Sequence, residues 1–172
     1  ACAGPKENKG QAPQGKFNYV VDQFADLQIL RYQVPGFESL SLKQKQLLYH
    51  LAEAAQMGRD IFFDQNCRYN LPIRRTLETI YKEYKGNRED AQFKALETYL
   101  KRVWFSSGIH HHYAEDKFTP GFTPEFFKSC LEQVNAAELP LREGQTLEQF
   151  IAEISPVIFD PTVLPKRTVQ SG

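Results

Sequence analysis

The chain has 172 residues, 41% hydrophobic and 24% charged, enough for one domain with a real core and too few to expect two. Its 21 Lys and Arg are matched by 21 Asp and Glu, so the basic excess of a nucleic-acid binder is missing. No apolar run reaches the length of a membrane span.

Residues 1–16 are polar and rich in Gly, Pro and Lys, with no apolar periodicity, and read as a disordered tail. Cys2 followed by such a spacer looks like the start of a mature bacterial lipoprotein whose cysteine carries the lipid. That reading predicts a periplasmic or outer-membrane-anchored protein, touching the membrane only through the anchor. The alternative is an unmodified Cys2 in a polar tail and a cytoplasmic protein.

From 17 to 31, Phe17, Val20, Val21, Phe24, Leu27 and Leu30 recur at spacings of three and four, which predicts an amphipathic helix ended by Val34-Pro35-Gly36. Ser41 and Gln44 then have capping-box spacing. Leu47, Leu48, Leu51, Ala54, Ala55, Gly58, Ile61 and Phe62 continue one apolar face for more than five turns. This predicts the central core helix, over 42–63, with the small Ala54-Ala55-Gly58 face against a neighbour and Lys45 in solvent.

Pro72 suits the first turn of a third helix, whose stripe is Ile73, Leu77, Ile80, Tyr81 and Tyr84 and whose cap is Gly86. A fourth, from about 88 to 104, carries Phe93, Leu96, Leu100, Val103 and Trp104 and stops before Gly108. Thr123 and Pro124 open a fifth, with Phe126, Phe127, Cys130, Leu131 and Val134. A second capping box, Thr146 with Gln149, opens a sixth that Pro156 should break. Residues 157–159 and 163–169 read as short extended pieces. The expected fold is mainly α: five to six amphipathic helices packed as one helical domain over 17–172, with little or no sheet.

The stretch 104–120 gathers the single Trp and three of the four His, namely His110, His111 and His112, between two predicted helices. Polar and aromatic residues gathered on a loop mark a binding surface. Neighbouring histidines diverge on a helix and alternate on a strand. At most His110 and His112 converge, short of the four ligands of a structural zinc site. No cofactor is expected on this chain, and a small His-dependent metal binder is the weakest reading.

No His-Glu-x-x-His, G-x-S-x-G or phosphate-binding glycine loop is present. Asp60 and Asp64 are a carboxylate pair at helical spacing that a solvated face explains. Ser106-Ser107-Gly108 reads as a helix terminus. Cys67 and Cys130 have no C-x-x-C spacing and read as free, partly buried thiols, with a single bridge as the alternative. The residues supply no catalytic constellation.

Three runs together resemble a family: L-L-Y-H-L-A-E-A-A-Q-M-G from Leu47, Y-L-K-R-V-W-F-S-S-G from Tyr99, and Y-A-E-D-K-F-T-P from Tyr113. They are similar to the amino-terminal part of dipeptidyl peptidase III enzymes. That family has a Tyr-x-His-Leu-Ser-x-Ala-Ala-x-x-Gly helix, and a long helix ending in Gly-Asn-Tyr-x-Ser-Phe-Gly-Asp-x-Lys-Phe-x-Pro. The likeness covers roughly 40–131, with Gly108, Lys117, Phe118 and Pro120 at matching places.

The resemblance implies a two-lobed zinc exopeptidase that removes dipeptides from the amino end of short peptides. This chain would be part of the lobe without zinc. The His-Glu-x-x-Gly-His motif and the zinc of the parent enzyme would lie downstream. The positions that contact peptide in the family fall on His112 and Tyr113, so the resemblance implies substrate binding by His112, Tyr113, Gly108 and Lys117. Ile109, His110, Ala114 and Glu115 depart from the pattern. The rival reading is a free-standing helical interaction domain of a surface-anchored bacterial protein.

Overall fold

The computed structural model describes residues 17–167; the tail 1–16, Cys2 and residues 168–172 lie outside them. The chain divides between Ser39 and Leu40 into two compact units.

In the first unit the expected helix over 17–31 is replaced by an antiparallel hairpin, β1 (Val20–Phe24) and β2 (Leu27–Leu30). Two observations explain the difference. The chain reverses over Ala25-Asp26, with Ala25 in the left-handed region at φ 49, and this short reversal resets the periodicity. In β2, half-buried Leu27 and Ile29 alternate with exposed Gln28 and Leu30, the period of a strand. Val20, Val21 and Ile29 are β-branched and stiff at χ1, which favours the pleated form. A register shift between Val20 and Asp22 places a bulge at Val21.

The second unit is helical: α1 (Leu42–Met57), α2 (Arg59–Asn66), α3 (Asn70–Glu83), α4 (Ala91–Ser106), α5 (Pro124–Leu131) and α6 (Leu147–Phe159). Both expected capping boxes form, Ser41 with Gln44 and Thr146 with Gln149. Asp90 caps α4 and Thr123 caps α5, each accepting from a backbone N–H of the first turn. The protein is mainly α, with a small two-stranded sheet.

The core forms between α3 and α4 and is closed by α5 and α6. Ile73, Leu77 and Ile80 from α3 meet Leu96, Leu100 and Val103 from α4, with Phe127, Leu131, Ile154 and Ile158. Aromatic rings extend it: Tyr84 and Tyr81 both stack on Phe93, at 4.5 and 6.0 Å between centroids. Gly86 is not the cap of α3; Tyr84 is. Gly86 instead makes room for the Tyr84 ring, whose hydroxyl would lie 2.4 Å from a Cβ there.

The expectation of a central core helix over 42–63 fails in three ways. The helix divides at Gly58 into α1 and α2. No residue of α1 is buried, and Leu47, Leu51 and Phe62 are 58%, 56% and 63% exposed. Lys45, expected in solvent, is the one half-buried residue of α1. Periodicity defines a face, but nothing in a helix's own sequence supplies the surface that covers it.

Pro156 does not break α6, which runs on to Phe159, so 157–159 are helical rather than extended. A proline in the last turn removes one N–H from the ladder. At this end of the helix Lys117 Nζ donates to the Val157, Asp160 and Val163 carbonyls. Of the expected extended piece at 163–169, Lys166 bridges to Asp116, and 168–169 lie outside the described residues.

Candidate functional site: the histidine hairpin and the pocket behind it

The stretch 104–120 is less of a loop than expected. Trp104, Phe105 and Ser106 complete α4, and Ser107 caps it in the left-handed region at φ 54. The chain then forms a narrow hairpin. Phe118 N–H donates to Ile109 O at 2.8 Å and His111 N–H to Asp116 O at 2.7 Å, with His110 paired to Lys117. The tip between these rungs turns at Glu115, φ 64. A third piece of chain braces the hairpin: Lys117 N–H donates to Pro165 O and Arg167 N–H to Glu115 O.

Its root is fastened by Asn70, wholly buried at the start of α3. Asn70 Oδ1 accepts from Ile109 N–H at 3.0 Å, while its Nδ2 donates to Phe63 O at 3.1 Å and Ser107 O at 3.4 Å. One carboxamide therefore joins the ends of α2 and α4 to α3. Gly108 is required here: its φ is +154, and a Cβ would stand 2.2 Å from Asn70 Nδ2.

The three histidines have different surroundings. His110 is buried, and its Nε2 lies 2.9 Å from Leu164 O, which makes that nitrogen the donor. Burial lowers its pKa; the Leu164 carbonyl opposes the shift, and the Lys117 and Arg167 charges add to it. His111 Nδ1 accepts from Tyr113 N–H and Ala114 N–H, both at 3.1 Å, and shapes the tip. Its ring stacks on His112 at 4.4 Å. His112 in turn lies edge-on to Phe105, with Nδ1 3.5 Å from Ser106 Oγ. Tyr113 stands beyond them, 85% exposed, with its ring 4.2 Å from that of His112.

Of the four expected substrate-binding residues, His112 and Tyr113 share the hairpin tip. Gly108 is buried at the root. Lys117 is turned inward onto the carbonyls at the end of α6, and burial lowers its pKa. Among the described residues no group of three His, Cys, Asp or Glu is placed to hold a metal. The His110 and His111 nitrogens that do bond serve the fold.

Asp60 is not half of a carboxylate pair with Asp64. It bridges to Arg74 at 2.8 Å and Arg75 at 3.3 Å, and the Arg74 bond does most to lower its pKa. Arg74 also faces Glu78, which accepts from Trp104 Nε1 at 2.8 Å. Charges that looked like solvated faces thus tie α2, α3 and α4 together.

Two features escaped the sequence. No sequence signal marks Asn70 as a clamp. Behind the hairpin lies a pocket of about 550 Å³, lined by Cys67, Arg68, Tyr69, His110 and Lys166 among others. Cys67 and Cys130 are both free thiols, the first half-buried and the second buried with its pKa pushed up to about 11. Compared with known proteins, the sequence matches no family model and no curated protein.

Proposed function

We propose that this chain is the substrate-cleft, non-catalytic part of a dipeptidyl peptidase III-like zinc hydrolase, which releases dipeptides from the amino end of short peptides. The observation that carries the reading is the hairpin tip. Tyr113 projects from it, beside His112, on a turn held by backbone rungs and by Asn70. A pre-ordered aromatic ring meets a peptide side chain with little further ordering, and an imidazole can bond the peptide backbone. Gly108 and Lys117 serve this site by holding the hairpin rather than by touching peptide.

Zinc and its His-Glu-x-x-Gly-His motif belong in this reading to the other lobe, so the chain alone hydrolyses nothing. The helices act as amphipathic elements of one domain, and the uncovered face of α1 and α2 is where that lobe packs. Lipidation of Cys2 would hold the enzyme at the periplasmic or outer-membrane surface.

The test uses the protein in which this chain is joined to its zinc lobe. Tyr113→Ala and His112→Ala should each raise KM with little change in kcat and with zinc content intact, the signature of lost uniform binding. Tyr113→Ala should be the larger effect. Unchanged KM in both variants overturns the binding role, and lost zinc places the hairpin at the metal instead.

One observation favours a second reading, a free-standing helical interaction domain of a surface-anchored protein: the exposed Leu47, Leu48, Leu51, Ile61 and Phe62 suit another protein as well as a second lobe. The gene decides between them. Continuation into His-Glu-x-x-Gly-His supports the peptidase, and a stop without it supports the interaction domain.

A further inference from the structure

The pocket behind the hairpin is separate from the exposed tip and has its own chemistry. Its walls are apolar, from Pro156, Val157, Val163 and Leu164. Arg68 and Lys166 are exposed cations at its rim, whereas Glu153 is already paired with Arg142 at 2.6 Å. Cys67 and His110 also line it. Cys67 is a half-buried free thiol at the end of α2. His110 is 3% exposed, and its ring makes one hydrogen bond, through Nε2 to Leu164 O. Nε2 being the donor, Nδ1 is the acceptor of the neutral ring, and a ligand N–H can bond it. The volume is within the ~300–1,000 Å³ usual for small-molecule sites.

We propose that this pocket takes a small acidic peptide thiol, and that Cys67 forms a mixed disulfide with it. The carboxylates meet Arg68 and Lys166, an amide N–H meets His110 Nδ1, and the sulfur reaches Cys67. The exchange balances without any outside oxidant when the ligand arrives as its own disulfide. The Cys67 thiolate, its proton lost to solvent, attacks one ligand sulfur. The new S–S bond forms as the old one breaks, and the departing half leaves as a thiolate with the electron pair. Cys67 is oxidised and the departing thiol reduced. The Lys117 ammonium lies near enough for a charge on Cys67 to act on it. Cys130 is the internal contrast, since its thiol is buried and held protonated.

The experiment incubates the full chain with oxidised glutathione and locates adducts by peptide mapping, which separates Cys67 from Cys2 and Cys130. An adduct on Cys67 and none on Cys130 is expected, removed by reductant and abolished in Cys67→Ser. Rates are then compared with a neutral probe, bis(2-hydroxyethyl) disulfide, and a cationic one, cystamine. Glutathione disulfide should be the fastest. Arg68→Ala and Lys166→Ala should each cut its advantage by roughly two- to fivefold, the range that an exposed ion pair supplies. Rates on the neutral probe should be unmoved by either substitution. An unmodified Cys67 overturns the proposal. So do equal rates for the three probes, which would make Cys67 merely an accessible thiol.

Discussion

Helices α1 and α3 are both well-written helices and lead opposite lives. The first has a complete capping box and a five-turn apolar stripe with its continuation, yet buries nothing. The second has no side-chain cap bond, yet buries Ile73, Leu77 and Ile80 completely against α4. Capping and periodicity stabilise a helix by satisfying its own backbone and by gathering its apolar groups. Burial depends on whether another element presents a complementary surface. The small residues Ala54, Ala55 and Gly58 permit close approach, and permission alone brings no partner.

The contrast breaks most readily at Leu77. Leu77→Ala in α3 should cost about 2–5 kcal/mol, as truncating a fully buried Leu does. The urea midpoint is read by fluorescence of Trp104, which sits on α4 within the same unit. A loss under about 1 kcal/mol would mean that the α3–α4 contact is not the centre of the fold.

Asn70→Ala comes next. It orphans Ile109 N–H, at about 1–3 kcal/mol for a buried group left unsatisfied, and takes one donor from the Phe63 and Ser107 carbonyls. Because the carboxamide holds the hairpin root, the variant should also speed amide exchange at Ile109 and Phe118 more than at Leu77. Uniform acceleration across the unit would mean that Asn70 is a general core residue and not a clamp for the hairpin.

A pH dependence follows from His110. Its folded pKa is lowered, chiefly by burial, so between that value and the unfolded value near 6.5 the unfolded chain binds more protons. Stability is therefore full above the unfolded value and is lost as pH falls through this window. His110→Gln should flatten the urea midpoint against pH there. An equally steep profile in the variant would assign the dependence to other groups.

The smallest effect sharpens the comparison most. Leu51→Ala, on the uncovered face of α1, should shift the same urea midpoint by no more than about 0.5 kcal/mol. In an assembly that covers this face the substitution should cost as much as Leu77→Ala. Equal midpoints for the two variants in the isolated chain would show that α1 is covered after all.

Much of the helical framework was legible in the sequence, because its signals are local. Ser41, Thr123 and Thr146 stand where their hydroxyls reach N–H groups three residues on, and Phe93, Leu96, Leu100 and Val103 keep helical spacing. The first 15 or so described residues were misread because spacings of three and four can be produced by two strands and a two-residue turn. Ala25 is not a residue whose identity announces a left-handed backbone.

The candidate site was half legible. That the histidine-rich stretch leaves α4 near Gly108 follows from residue types alone. Which histidine is buried does not: His110, His111 and His112 are identical side chains in sequence and differ by the partners that the fold brings, Leu164 O, two N–H groups of the tip, and Phe105. Lys117, a substrate contact by resemblance alone, caps the end of a helix that begins 30 residues downstream. Local hydrogen bonds and periodicity are written within a few residues, so the sequence determines them. Burial, capping at a distance and the pocket around Cys67 require groups far apart in the chain to meet, and only the tertiary structure decides that.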